Sequence, residues 1–364
     1  MEGMFDALIR ILEFIIAFGL LIFLHELGHY LVAKFFNIDV EEFGFGFPPR
    51  LVKLFQFRET EFTLNWIPFG AFVRPKGEND PNVPGGMAAA SPWARLWMLL
   101  GGPVMNLATG VVIFSLIFSQ MGAPDYSKVL VVDVNDRSPA ENAGIQAEDV
   151  IVSINGTPVT STDELSTIVQ RNLGQEVQIT LRRGEELIET RAVPRAKPPE
   201  GEGALGIGMS NPLRDVDFFG ALPASINTTY RQIRTIITLP VMIIRGQVAP
   251  EQGRFVGPVG IYGIFSTARE RDEEATTAEE RDPMFGLNTL LFLATISIAL
   301  GITNLLPIPA LDGGRILFVL PEILFRRRVP AQYENMIHLI GFTALILLMI
   351  YITTQDIINP IVIP

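Results

Sequence analysis

The chain has 364 residues, 48% of them hydrophobic, and a mean hydropathy of +0.34, more apolar material than one soluble core of that size needs. Its formal charge of −11, with an acidic run from Glu270 to Asp282, argues against nucleic acid as a partner. Zero cysteines exclude disulfide staples, thiolate nucleophiles and thiolate metal ligands. A polytopic membrane protein is the first reading.

Apolar runs near 8–36, 96–119, 284–306 and 335–353 each approach the roughly 20 residues that cross a bilayer, so four transmembrane helices are expected. Glu2 and Asp6, rather than a basic cluster, lead the first run, which is expected to be retained and not removed as a leader. The segment 60–75, TEFTLNWIPFGAFVRP, joins strand formers to Pro68 and Gly70 and reads as a hairpin dipping into the membrane. Beyond the second span, KVLVVDV (128–134) and EVQITLRR (176–183) alternate like strands, and 162–172 reads as a helix capped by Thr162 or Asp163. Between them, 138–159 supplies a short helix, a turn at Gly144, a buried strand and the turn Asn155–Gly156. This α+β pattern, with its AGI, DVI and INGTPV series, resembles a PDZ domain over 122–211. PDZ domains bind extended peptides at a sheet edge; no carboxylate-binding loop is evident in the sequence, and a spacer or plug without a ligand is the competing expectation. Ile233–Ile244, interrupted by Pro240 and flanked by Arg231, Arg234 and Arg245, reads as an interfacial or re-entrant helix. The acidic run after Arg269 reads as a solvated juxtamembrane helix or linker. The expected division is 1–121 (two spans and the hairpin), 122–211 (the PDZ-like domain), 212–283 (interfacial helix and linker) and 284–364 (two spans).

Basic residues resist translocation. Arg50, Lys53, Arg58, Arg74, Lys76 and Arg95 fall between spans one and two, and Arg315 with Arg326, Arg327 and Arg328 between spans three and four. Both loops are therefore expected in the cytoplasm, with 120–283 and both termini outside.

The first span contains FLHELGHYLVAKFF, which holds two of the three histidines of the chain. His25 and His29, four apart on a helix, share one face with Glu26 beside them. Two imidazoles at that spacing can ligate zinc, and the adjacent carboxylate is placed to take a proton from a water at the metal. The plainer alternative is two histidines packed on polar atoms in a bundle, but uncompensated ionisable groups in a span are costly. A catalytic zinc needs a third donor. Spans one and three run in the same direction, so Asp312, in GITNLLPIPALDGGR directly after span three, lies at the depth of His25 and His29. His338, early in span four, stays open as a second candidate, and capping of a helix from Gly313 is the structural alternative for Asp312.

HELGH, GGPVMN (101–106), GPVGI (257–261) and NLLPIPALDGG (304–314) occur in the order they take in the site-2 protease family of intramembrane zinc metalloproteases, and the chain resembles that family through nearly its whole length. The resemblance implies Zn2+ held by His25, His29 and Asp312, catalysis by Glu26, and a substrate-binding role for Asn304. Only one PDZ-like domain fits here, whereas some members carry two in tandem. Asn106 is a further candidate for hydrogen bonds to freed substrate backbone, while an asparagine that joins two helices is its alternative. The 60–75 hairpin is suited to pairing with an extended substrate, and Gly101, Gly102 and Pro103 to close helix approach or a kink. The expected protein is a multi-pass plasma-membrane (inner-membrane) endopeptidase, in contact with lipid, that cuts single-span substrates after another protease has removed their external domain. Regulated intramembrane proteolysis and clearance of signal-peptide remnants are both expected outputs. The competing class is a non-catalytic scaffold that recruits exported peptides through the PDZ-like domain, which has no use for Glu26 beside two histidines.

Overall fold

The computed structural model describes residues 2–199, 201–246, 254, 256–277 and 286–360. It divides into two compact units, residues 1–117 with 225–364, and residues 118–224.

The first unit opens with α1 (Glu2–Phe35), followed by β1 (Val40–Phe57), β2 (Thr60–Pro75) and α2 (Pro92–Met121). It resumes along α5 (Phe218–Ile244), with α6 (Pro258–Thr277), α7 (Leu287–Leu305), α8 (Asp312–Phe325) and α9 (Ala331–Ile358) completing it. Among the described residues, four stretches are helical, long and apolar enough to cross a membrane: Ala7–Phe35, Pro92–Met121, Leu287–Leu305 and Ala331–Ile358. They are the four apolar runs of the sequence. Gly28 on α1 and Gly101 on α2 bring these helices together, since a Cβ on Gly28 would lie 2.2 Å from the Gly101 carbonyl oxygen and one on Gly101 would lie 2.6 Å from that of Gly28.

β2 is one long element, but its direction reverses within it. Glu42–Phe45 run parallel to Glu61–Leu64 on one edge and Val40–Phe45 antiparallel to Pro75–Ala71 on the other, so the segment 60–75 doubles back between Asn65 and Ala71, around Pro68 and Gly70 (φ 85°). Its two arms do not pair with each other as in a simple hairpin but hold the first half of β1 between them. Arg50–Phe57 lie antiparallel to Asn65–Thr60 across a turn at Arg58–Glu59, where Arg58 adopts φ 54°. Glu42, 4% exposed at the centre, accepts a hydrogen bond from Thr63 Oγ1 and pairs with Arg50 and Arg74. Phe43 packs with Phe23, Tyr30 and Phe62 to fix the sheet on α1. The far half of β1 exposes Leu51, Val52, Leu54, Phe55 and Phe57.

Two expectations for 212–283 change. α5 is uninterrupted through Pro240 and has 27 residues, longer than the expected interfacial segment. The start of the acidic run is docked rather than solvated: Arg10 of α1 pairs with Glu270 and Glu273, Arg269 pairs with Glu13, and Asp272 is 1% exposed. Asp272 accepts hydrogen bonds from the backbone N–H groups of Asn288 and Thr289 and from both their side chains, satisfying the donors that open α7. Asp356 of α9 does the same for α6 through Gly257 and Gly260 N–H. Of the expected 212–283 segment, residues 247–253, 255 and 278–283 lie outside the described residues.

The second unit holds a sheet in the order β8 (Glu186–Ala192), β7 (Val177–Arg183), β5 (Val150–Ile154), β4 (Val129–Val134), β9 (Ile207–Ser210), with β6 (Thr157–Pro158) beside β5. A second pair joins β3 (Ala123–Pro124) to β10 (Leu213–Arg214). The inward residues of these strands pack on Leu165 and Val169 of α4 (Thr162–Arg171) and on Ala140 of α3 (Pro139–Asn142). The cap of α4 is Ser161, one residue before the expected pair. Its side chain accepts from Glu164 N–H while the Glu164 carboxylate accepts from Thr160 N–H.

Candidate metal centre

Helix α1 carries His25, Glu26 and His29 on successive positions of one face, as an i, i+4 spacing requires. Asp312 is the first residue of α8, placed by the loop that follows α7. That turn is tight: a Cβ on Gly313 would lie 2.3 Å from the carbonyl oxygens of Leu305 and Leu306, and one on Gly314 would lie 2.2 Å from that of Ile308. Glycine there lets the loop fold against the first turn of α8. Leu311, not Asp312, occupies the N-cap position, and no side chain caps the helix. The carboxylate is thus free to reach across to α1.

There, His25 Nε2 lies 3.1 Å and His29 Nε2 3.4 Å from Asp312 Oδ2, and the two imidazole nitrogens are 3.2 Å apart. Ligand atoms held about 2.0–2.1 Å from a tetrahedral zinc are separated by about 3.3 Å, so all three edges fit one face of such a site. Among the described residues this is the group of three or more His, Asp or Glu side chains whose donor atoms converge. Gly102 of α2 supplies a second sign of fit. A Cβ there would come within 2.4 Å of His29 Nε2 and 2.7 Å of His25 Nε2, so the absence of a side chain keeps the point of convergence clear.

Each histidine is oriented from behind. His29 Nδ1–H donates to the Met98 carbonyl at 2.7 Å, which leaves its Nε2 lone pair facing the centre. His25 Nδ1 lies 3.1 Å from the Asn106 side-chain amide. Glu26 is adjacent, its Oε2 accepting from Val73 N–H of β2 at 3.1 Å. Phe72, Val73 and Pro75 line a cavity of about 240 Å³ with Glu26, His29, Asp312 and Arg315. A smaller cavity of about 90 Å³ shares Glu78 and Arg315 with it and extends to Arg95, Arg328, Glu334 and His338. Arg315 pairs with Glu78, and Arg95 with Glu322.

The remaining candidates fall elsewhere. His338 does not join the donors; its Nδ1 accepts from Ala310 N–H at 2.8 Å and supports the loop at a residue with φ 77°. Asn304 sits half-buried in the last turn of α7 and is not among the residues lining the 240 Å³ cavity. Asn106 is 1% exposed and turned to His25. The Met98 carbonyl and the Val73 N–H are backbone groups, which no residue type in the sequence announces.

A helix-borne HExxH meeting a carboxylate from a second helical segment, among helices long enough for a bilayer, is the arrangement of a membrane metalloprotease. The sequence profile of Peptidase family M50 matches residues 13–348, and the chain belongs to that family, the site-2 proteases; it is a zinc metalloprotease and a multi-pass membrane protein. A Clostridium perfringens protein named provisionally as a zinc metalloprotease is 31% identical over 95% of this chain and 98% of its own. The zinc metalloprotease RasP of Oceanobacillus iheyensis is 28% identical over 95% of this chain and 98% of its own. The regulator of sigma-W protease RasP of Bacillus subtilis is 26% identical over the same shares. The PDZ domain of an SdrC-like protein from Listeria monocytogenes aligns with 23% of this chain and 88% of its own, at 26% identity and a TM-score of 0.21, a likeness too slight to carry an argument.

Proposed function

We propose that the protein cleaves transmembrane segments of single-span membrane proteins, with His25, His29 and Asp312 holding the zinc and Glu26 as the catalytic base. The observation that carries this reading is the Glu26 carboxylate beside three converging donor atoms, in a cavity walled on one side by a strand edge. Zinc bound there supplies Lewis acidity, polarising a carbonyl and making water easier to deprotonate. Glu26 removes the proton of the attacking water and returns it to the leaving amine.

A helical substrate hides its carbonyls in its own hydrogen bonds and has to be unwound before attack. The Ala71–Pro75 segment supports that step: one edge pairs with Val40–Phe45, and the N–H of Val73 on the other already points to Glu26. An extended substrate added along that edge lies directly beside the base. Asn304 is assigned to the substrate backbone on the strength of its motif. The exposed apolar half of β1 is suited to lipid. The polar chain Glu78, Arg95, Arg315, Arg328 and Glu334 gives water a route from the side where the basic loops lie, which the loop charges assign to the cytoplasm.

In this reading residues 122–211 form a PDZ-like domain on the outer face and act as a size filter, so that substrates enter after loss of their external domain. The strand order and the groove between α4 and β9, lined by Leu165, Val169, Leu205 and Ile207, support a PDZ-like assignment. Membership of the metalloprotease family argues against a non-catalytic scaffold, and the groove is suited to peptide binding in support of proteolysis. Glu26→Gln tests the catalytic assignment: the variant should keep its zinc and lose cleavage of a reconstituted single-span substrate, and cleavage at the parent rate would remove Glu26 from its role. Loss of residues 122–211 should admit substrates with bulky external domains, and their continued rejection would refute the filter.

A further inference from the structure

We propose that Asn106 fixes the ring state of His25, accepting the Nδ1 proton at its side-chain Oδ1 so that the Nε2 lone pair is committed to the metal. The inference rests on His25 being a zinc ligand. A neutral imidazole carries one proton; if Nε2 faces a metal, the proton is on Nδ1 and needs an acceptor. Asn106 is the partner the structure gives that nitrogen, at 3.1 Å from its amide.

The amide is buried and well held. Asn106 is 1% exposed, and its backbone carbonyl accepts from Ser297 Oγ of α7 at 2.8 Å. With Nδ2 turned to the ring, Oδ1 is buried and has no hydrogen-bond partner among the described residues. A half-turn of the terminal torsion, which is broad and two-fold, exchanges the two atoms and gives Oδ1 the Nδ1–H. The orphaned acceptor and the unassigned ring proton then satisfy each other. His29 has the equivalent from the Met98 carbonyl. Both imidazoles are thus set by an oxygen of α2, one from backbone and one from a side chain. This makes Asn106 a positioning residue for the centre rather than a contact for substrate.

The test uses the full chain in detergent and measures zinc affinity by competition with a chelator. Asn106→Leu, similar in size and lacking an acceptor, should weaken zinc binding about 10–100-fold. Asn106→Asp keeps an acceptor oxygen and should stay within about threefold of the parent. With three histidines in the chain, nitrogen NMR of histidine-labelled, zinc-loaded protein can resolve each ring, and His25 should carry its proton on Nδ1. Parent-like affinity in Asn106→Leu, equal losses in the Leu and Asp variants, or a proton on His25 Nε2 would each overturn the proposal. His25→Ala separates the two levels: if it abolishes zinc binding while Asn106→Leu does not, the ligand assignment stands and this inference falls; if it leaves zinc binding intact, both fall.

Discussion

Replacing Gly102 by alanine adds one methyl group to α2 at the point where the two imidazoles converge. The new Cβ would stand 2.4 Å from His29 Nε2 and 2.7 Å from His25 Nε2, whereas ordinary contact begins near 3.4 Å. The rings or the helix must therefore yield by about 1 Å, several times the tolerance of about 0.2 Å in zinc–ligand distances. Neither ring can retreat cheaply, because His29 is tied to the Met98 carbonyl and His25 to Asn106. We expect zinc affinity to fall at least about 100-fold, close to 2.7 kcal/mol. The fold should survive, since the close approach of α1 and α2 is made at Gly28 and Gly101, one residue away. Gly110→Ala is the control on the same helix: its Cβ meets the buried Ile298 side chain at 2.5 Å, away from the donors, so it should cost stability while zinc affinity matches the parent. Chelator competition with thermal unfolding in parallel gives both quantities. A Gly102→Ala protein that binds zinc as the parent does would refute the placement of the centre against α2.

Other outcomes follow from the same contacts. His338→Ala should keep its zinc, because His338 serves Ala310 N–H rather than the donor set, and should lose about 1 kcal/mol of stability; loss of zinc would return His338 to the ligands. Asp272→Ala removes the acceptor of four hydrogen bonds at the start of α7 and should cost about 2 kcal/mol, seen as faster hydrogen exchange through Asn288 and Thr289, and unchanged exchange there would count against the clamp. In the second unit, burial tends to raise the Asp149 carboxyl, but the Arg183 guanidinium and Gln146 N–H hold it below its ordinary value. A group with a depressed folded pKa stabilises fully above its unfolded value near 4 and loses that contribution as pH falls through the folded one. Exchange in β5 and β7 should therefore accelerate below about pH 4, and Asp149→Asn should flatten that dependence, whereas an identical acid response in the variant would contradict it.

The parts legible in sequence share a cause: each follows from a local period. Spacing of four put His25 and His29 on one face, continuous apolar runs gave the four long helices, and alternation marked β4 and β7. Asp312 could be reached only through depth, because two spans of like direction end at one level, and the structure joins it to both histidines. The reversal at Pro68 and Gly70 is legible from its turn residues, whereas the pairing of both arms with β1 is hidden because Pro48, Pro49, Pro68 and three glycines interrupt the alternation. The burial of Asp272 is not legible from local charge, because it depends on the start of α7 that its carboxylate satisfies. Asn106 stands out in sequence as a polar residue closing GGPVMN within a span, but its orientation to His25 exists only once α1 and α2 are packed.

The central claim is that one zinc is held by side chains of α1 and the start of α8. Anomalous diffraction at the zinc edge from crystals of the zinc-loaded protein tests it directly. The account predicts a single peak about 2.0–2.2 Å from His25 Nε2, His29 Nε2 and an Asp312 carboxylate oxygen. A peak that leaves Asp312 beyond bonding distance, or one coordinated by His338, would contradict it.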